Sequence, residues 1–425
     1  MKHYDVIVIG MGLAGLMAAK AAVERGKSVL IMGKGVGTAH THTGCIDLLG
    51  YYPAGSVDPV HNPLQSLIRL MEESPNHPYA RVGEADIRKA LTSFLNVFNG
   101  GNYAYLSRGE ENTITITPCG STRPTYLFPS TMEWGGIEDA GDLLIVGFDG
   151  LKDFYSPSIA HNLASLREAG RISFKVRSIS LPLSRFSDRR MAPPPVLGRL
   201  FEDHGFRDKI AQGVRAELKG EERVAFPAVL GIERAHEVKR ELEARLGARV
   251  FEIPTLPPSV PGYRLFQVLK RNLQERGVTV IMGFSAAEAT VREGTCLQVT
   301  VLRPPIQRSY SADLYVLATG RFAGGGLAVR GDRIVEPMFG LPVHQPFSRE
   351  EWFRVRFFSD KPHPIEGFGV MVNEQLNPVD DHGNVAVNNL RVAGAILSGC
   401  YGLREKSGGG VAIATGYTAG KGEFH

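Results

Sequence analysis

Cysteine is scarce in this chain. Only four of its 425 residues are cysteine (Cys45, Cys119, Cys296 and Cys400), and no two are near neighbours. Without a C-x-x-C pair, neither a zinc site nor a ferredoxin-type cluster is encoded locally. Few and scattered thiols fit a reducing cytoplasm rather than a disulfide-stapled secreted domain. Long apolar runs are missing too, so no segment has the length that a membrane helix needs. Lys2 and His3 lead straight into Asp5 and a short strand, so no secretory leader is expected. An excess of one charge is also lacking: 48 basic residues face 44 acidic ones, for a net charge of +4. A nucleic-acid binder carries a denser basic stripe; a mildly basic surface suits a small anionic substrate or docking beside a membrane. No internal repeat or low-complexity block stands out.

What is present reads as a globular α/β protein. Hydrophobic residues make up 43% of the chain and charged residues 22%, enough for a real core, and the length suits two joined domains. Val6-Ile7-Val8-Ile9 is a continuous β-branched run, the mark of a buried parallel strand. A helix from Leu13 to Arg25, closed by Gly26, and a second buried strand at Val29–Met32 complete a βαβ unit. Further on, short apolar strands at 143–146, 172–179, 224–229 and 250–253 alternate with helices at 158–168, 206–219 and 234–246. That alternation predicts a second α/β domain inserted into the first. Pro193-Pro194-Pro195 marks a loop inside it. The proline-rich stretch 254–262 reads as an irregular return, followed by a helix from Tyr263 to Arg276, a strand at 278–282 and an antiparallel meander over 286–308. Buried strands at Leu314–Ala318 and Leu390–Ala393 and a helix over Gly409–Gly420 close the chain. The expected architecture is a Rossmann-like flavin-binding domain with a parallel sheet and β-meander, plus an inserted second α/β domain. Its boundaries are expected at 1–100, 101–258 and 259–425, with a small cap segment around 330–370.

Three glycine-rich segments carry the chemistry. Gly10-Met11-Gly12-Leu13-Ala14-Gly15 lies between the first strand and helix, the context in which G-x-G-x-x-G holds a pyrophosphate on a helix N-terminus. An acid normally ends the second strand and binds the adenosine ribose; here the strand ends Met32-Gly33-Lys34, so Lys34 is a candidate phosphate contact or a solvated surface lysine. Thr319 and Gly320, after the strand Leu314–Ala318, again bring bare backbone towards a nucleotide. Gly394, then Gly408-Gly409-Gly410-Val411 at the start of the last helix, form the other half of a flavin clamp. A helix N-terminus aimed at the N1–C2=O edge of an isoalloxazine stabilises the reduced ring. FAD is the flavin that the dinucleotide motif favours.

The loop Ala39–Cys45 is expected beside the isoalloxazine ring. Thr43 and Gly44 are candidate cofactor contacts. His40 or His42 is a candidate for proton transfer or covalent attachment, a polar loop that hydrogen-bonds the cofactor being the favoured reading. Arg321, Arg404 and Lys406 are the cations expected near the ring, and Arg264 opens the helix after the prolines; a phosphate-bearing substrate wants such groups. No general base is evident, and no metal site is expected. In the segment 346–368, the rings of Trp352, Phe353, Phe357 and Phe358 read as a capping core, with a partner surface as the alternative.

The chain resembles the B subunit of the anaerobic glycerol-3-phosphate dehydrogenase. The resemblance rests on Asp5–Leu16, on Thr43–Leu49, on Gly150-Leu151-Lys152-Asp153-Phe154, on Pro254–Leu265, on Leu317–Leu327 and on the Gly408–Val411 region. Tyr401–Lys406 departs from the family's spacing. The resemblance implies oxidation of sn-glycerol 3-phosphate to dihydroxyacetone phosphate with electrons passed toward quinone. It implies FMN as the flavin, and assembly with two other subunits, one a larger flavoprotein and the other an iron–sulfur protein. It also implies a cytoplasmic location at the inner face of the membrane, which the chain touches only through partners. Two other functions compete: a stand-alone flavin dehydrogenase or reductase acting on another small anion, and a nucleotide-binding subunit without chemistry.

Overall fold

The computed structural model describes residues 2–283, 285–303 and 305–422. The chain divides into two compact units. The first comprises Met1–Thr38, Asp47–Val97 and Phe266–His425, and the second comprises Ala39–Ile46 and Phe98–Leu265.

The first unit is built on a seven-stranded sheet. Strand β1 (Lys2–Ile9) leads through the glycine turn into helix α1 (Leu13–Val23) and then into β2 (Val29–Gly33). Later in the chain come β3 (Thr279–Met282), β4 (Ser285–Arg292), β5 (Thr295–Arg303), β6 (Ile306–Leu317) and β7 (Leu390–Val392), then helix α2 (Gly408–Lys421). Strands β3, β2, β1, β6 and β7 run parallel, while β4 and β5 are antiparallel. Strand β6 is where the two parts fuse. Its first residues pair with β5 and its last with β1 and β7, so the meander and the buried strand Leu314–Ala318 are one continuous element. Val6, Ile7 and Val8 are wholly buried, as a β-branched run covered on both faces requires.

Helices α1 and α2 pack backbone to backbone. A Cβ on Gly416 would stand 2.2 Å from Ala14 O, and one on Gly420 would stand 2.0 Å from Ala18 O. The residues Ala14 and Ala18 on one helix thus meet Gly416 and Gly420 on the other, each pair one turn apart.

The second unit holds a four-stranded parallel sheet in the order Arg249–Ile253, Arg223–Pro227, Leu143–Asp149, Val176–Pro182. Leu143, Leu144, Ile145, Phe226 and Phe251 fill its core. Helices Ser156–Glu168, His204–Arg215 and Ala235–Leu246 alternate with the strands.

The structure departs from the sequence reading in several places. Pro194 and Pro195 open a helix, Pro194–Leu200, because a first turn needs no amide donors. For the same reason the helix expected from Tyr263 begins at Val260, with Pro261 in its first turn. The strand expected at 172–179 runs from Val176 to Pro182. Trp352 is buried, but Phe353, Phe357 and Phe358 are exposed; the capping core holds for the indole alone. Among the described residues no helix is long and apolar enough to cross a membrane.

Candidate flavin site

The carboxyl ends of β1, β2, β6 and β7 share one edge of the first unit's sheet. Gly10 N donates to Met32 O (2.8 Å), Ala318 N to Ile9 O (2.8 Å) and Ala393 N to Leu317 O (2.9 Å). The residues next in sequence, Gly10, Gly33, Thr319–Gly320 and Gly394, therefore lie along that edge, where open α/β sheets bind ligands.

Within the glycine turn, each glycine answers to a different neighbour. Gly10 has φ +116°, and a Cβ there would lie 2.2 Å from Ala318 O. A Cβ on Gly15 would lie 1.9 Å from Gly10 O. The fold itself requires these two. Around Gly12, by contrast, a Cβ would find nothing within 4 Å. Gly12 is the N-cap of α1, and the first turn carries no acid. The amides of Leu13, Ala14 and Gly15 have no acceptor among the described residues and carry the positive end of the helix dipole.

The start of α2 repeats this arrangement. Its first turn has no acid, and the Ser407 side chain makes no cap bond. Gly410 N donates to Asp47 O (2.8 Å), while the amides of Gly408 and Gly409 have no acceptor among the described residues. Val411 is buried beneath them. A third opening for a ligand lies at Thr319, whose buried hydroxyl has no hydrogen-bond partner among the described residues. Lys34 is exposed, and its Nζ lies 3.7 Å from where a Cβ on Gly325 would stand, in the loop after Thr319–Gly320.

The candidate cations separate by their partners. Arg321 is half-buried; its Nη1 donates to Glu366 O (2.7 Å) and its Nη2 to Ile365 O (2.5 Å). No carboxylate lies within ion-pair distance of it among the described residues, and burial depresses its pKa. Arg404 faces the Glu366 carboxylate at 3.4 Å and donates to Ser359 O (3.1 Å). Glu366 thus brings these two arginines together. Lys406 ends a short helix in the left-handed conformation, φ 50°. Arg264 is corrected by the structure: it is buried against Glu252 (2.7 and 2.9 Å) and Gly231 O, so its charge is neutralised within the second unit. His42, Thr43 and Gly44 also belong to the second unit. There Gly44 N donates to His42 Nδ1 (3.1 Å), Cys45 N to Thr43 Oγ1 (3.4 Å), and Tyr105 Oη to Gly44 O (2.6 Å).

The sequence reading missed one buried knot. His77, Cys400, Glu405 and Ser407 meet away from solvent. His77 Nδ1 accepts the Tyr79 amide (3.1 Å), which leaves the proton on Nε2, facing Glu405 Oε2 at 3.3 Å. Both ring nitrogens are then occupied, and the cluster is a hydrogen-bonded network rather than a set of free metal donors. Burial, and next the Glu405 charge, push the Cys400 thiol up to about 12.

Comparison with known proteins identifies the family. A family model described as an FAD binding domain matches residues 5–411. A Halobacterium salinarum protein, named as the B subunit of a probable anaerobic glycerol-3-phosphate dehydrogenase, is 35% identical over 98% of this chain and 96% of its own. The chain belongs to the B-subunit family of anaerobic glycerol-3-phosphate dehydrogenases. A Vibrio cholerae member of that family is 32% identical over 99% of this chain and 96% of its own. Among solved structures, the open form of a flavocytochrome c3 fumarate reductase aligns with 99% of this chain and 78% of its own, at 9% identity and a TM-score of 0.45, a loose likeness. The chain is a flavin-dependent oxidoreductase of this B-subunit family. Of the two flavins expected, the family match supports FAD. The residues fit that cofactor: two acid-free helix N-termini with free amides, the open face of Gly12 and a Thr319 hydroxyl without a partner among the described residues are places that a polar, anionic ligand can fill.

Proposed function

We propose that the chain seats FAD along this edge and oxidises sn-glycerol 3-phosphate to dihydroxyacetone phosphate, passing electrons toward quinone. In this reading Gly10, Gly12, Leu13, Ala14 and Gly15 hold the pyrophosphate, with Gly33 and Lys34 on the adenosine side. Thr319, Gly320 and Gly394 line the middle, and Gly408, Gly409, Gly410 and Val411 face the flavin ring. FAD, when bound, supplies the two-electron acceptor. The chain's own residues supply the electrostatics. The free amides at the start of α2 favour negative charge on the ligand edge they face. Arg321, a half-buried guanidinium without a carboxylate partner among the described residues, is the cation left for the substrate phosphate, while Arg404 is partly neutralised by Glu366. The names of the relatives support the substrate and the place of the chain as one subunit of several. The partners are a larger flavoprotein and an iron–sulfur protein, through which the complex meets the inner face of the membrane.

The observation that carries the reading is the empty surround of Gly12, next to Gly10 and Gly15, whose lack of side chain the fold explains. Among the described residues nothing stands where a Cβ on Gly12 would point, which leaves its backbone open to a ligand. Gly12→Val is therefore expected to fold, at a cost of about 1 kcal/mol for a branched residue at an N-cap, while purifying without the absorption bands of oxidised flavin. The parent releases FAD on acid treatment and reduces a dye with glycerol 3-phosphate. A Gly12→Val protein that keeps a full complement of FAD, or an FAD-loaded parent inert toward glycerol 3-phosphate, overturns the reading.

A further inference from the structure

Five large apolar side chains stand in water on one segment of the first unit. Phe347 is 92% exposed, Phe353 59%, Val355 105%, Phe357 78% and Phe358 90%. Isolated surface hydrophobes are ordinary, but a cluster of this kind marks an interaction site. The segment is not slack. Trp352 anchors it, buried and edge-on to Phe368 (6.3 Å between centroids). The Ser348–Glu351 capping box closes the turn before it. The buried His363 then pins the tip from both sides: its Nδ1 accepts the Arg354 amide (3.0 Å) and its Nε2 donates to Phe357 O (2.9 Å). The backbone is held and the rings are turned outward.

The tip also carries a charge pattern. From 353 to 358 it reads Phe-Arg-Val-Arg-Phe-Phe, with two guanidiniums and no acid. Arg354 donates to Pro362 O (3.2 Å). Arg356 is exposed and has no hydrogen-bond or ion-pair partner among the described residues. Aromatic rings and arginine are the residue types enriched at the centres of protein interfaces. An anionic lipid surface fits less well: a sheet of phosphates also meets Glu350, Glu351 and Asp360, which flank the tip beside Arg349 and Lys361, whereas a single carboxylate can meet Arg356 alone. The loop is also tied to the candidate site, since Arg404 donates to Ser359 O (3.1 Å) while facing Glu366.

We infer that the loop 347–361 is the docking surface for a partner protein of the complex, one that presents an apolar cleft with a carboxylate on its rim. The inference rests on the multi-subunit reading above. Phe357 and Phe358 fill the cleft, and Arg356 meets an acid on the rim.

The test uses the full chain co-expressed with the larger flavoprotein and the iron–sulfur protein. Phe357→Ser/Phe358→Ser and, separately, Arg356→Glu are expected to lower the recovery of both partners per tagged chain by about tenfold or more, the loss that an interface hot spot produces. FAD content and dye-linked turnover stay at parental values. Full partner recovery by both variants overturns the inference. So does binding of the parent chain alone to phosphatidylglycerol vesicles, lost in the variants while assembly is unchanged. If the FAD-loaded parent recovers neither partner, the multi-subunit reading itself fails, and the docking surface with it.

Discussion

Ser407, the N-cap residue of α2, donates its hydroxyl to Glu405 Oε2 at 2.8 Å, and its side chain makes no bond to its own helix. A serine at this position ordinarily turns its oxygen onto the amide two or three residues ahead. Glu405 draws it away, and the amides of Gly408 and Gly409 stay open. Glu405 is held in turn by His77, 328 residues away in the chain. Glu405 is thus a positioning residue for the end of the helix that is proposed above to face the flavin. In Glu405→Ala the freed hydroxyl caps the helix, and the cap, worth about 1 kcal/mol, competes with FAD. The FAD dissociation constant is expected to rise about fivefold, to change little in Ser407→Ala, and to return toward the parental value in the double variant. A double variant as weak as Glu405→Ala would show that Glu405 acts by another route.

The contact of α1 with α2 leaves no room for side chains at two positions. A Cβ on Gly420 would lie 2.0 Å from Ala18 O, well inside contact distance. Gly420→Val forces the helices apart and is expected to cost about 3 kcal/mol or more, at the upper end for overpacking. Gly422, just past the helix end, is no control, because a Cβ there collides with Arg391. Gly408 is the better one: a Cβ finds nothing within 4 Å, so Gly408→Ala should leave the melting temperature near the parental value and lower FAD affinity. Thermal melts of the apo-proteins, read beside FAD titrations, separate the two effects. A Gly420→Val protein as stable as the parent would mean that the helices do not approach as described.

The parts of this architecture written in local sequence were legible from it. Val6–Ile9 and the glycines at 10, 12 and 15 announce strand, turn and helix within one short window, because the pattern and its cause lie together. The family was legible for the same reason, through segments such as Thr43–Leu49. What stayed hidden depends on distant partners. Nothing near Arg264 tells that Glu252 neutralises it, and so it read as a free cation. Nothing near Glu405 points to His77. Pro193–Pro195 and Pro261 read as breaks because proline stops an existing helix, yet the same residue is accepted in a first turn. The rings of Phe353, Phe357 and Phe358 read as a core because composition does not say which way a loop turns its side chains; His363 decides that.

Arg264 and Glu252 make a wholly buried ion pair, with further bonds from Leu230 N to Glu252 Oε1 (2.7 Å) and from Arg264 to Gly231 O. Taking two charges out of water is costly, and removing one partner strands the other. Glu252→Gln is expected to destabilise the protein by about 3–5 kcal/mol. Replacing both members with apolar residues of similar volume should cost far less. Urea unfolding of the single and double variants measures the difference. Comparable losses in both would show that the pair matters for shape rather than charge.

The thiols give a pH-dependent test. Burial pushes Cys400 up to about 12, with the Glu405 charge as the second cause, and burial raises Cys296 to about 11. Both therefore hold their protons more tightly folded than unfolded, where a thiol titrates near about 8.5. Their contribution to stability is complete below that value and is lost as the pH rises from there toward the folded pKa. The thiolate is the nucleophile, so the folded protein at pH 8 should resist iodoacetamide at Cys400, Cys296 and the buried Cys45, and react only at the exposed Cys119. Mass spectrometry should find one modified cysteine per native chain and four after unfolding. Raising the pH above about 9 should lower the melting temperature, less steeply in Cys400→Ser. Rapid modification of Cys400 in the native protein would show that the knot with His77, Glu405 and Ser407 opens to water and does not hold the start of α2.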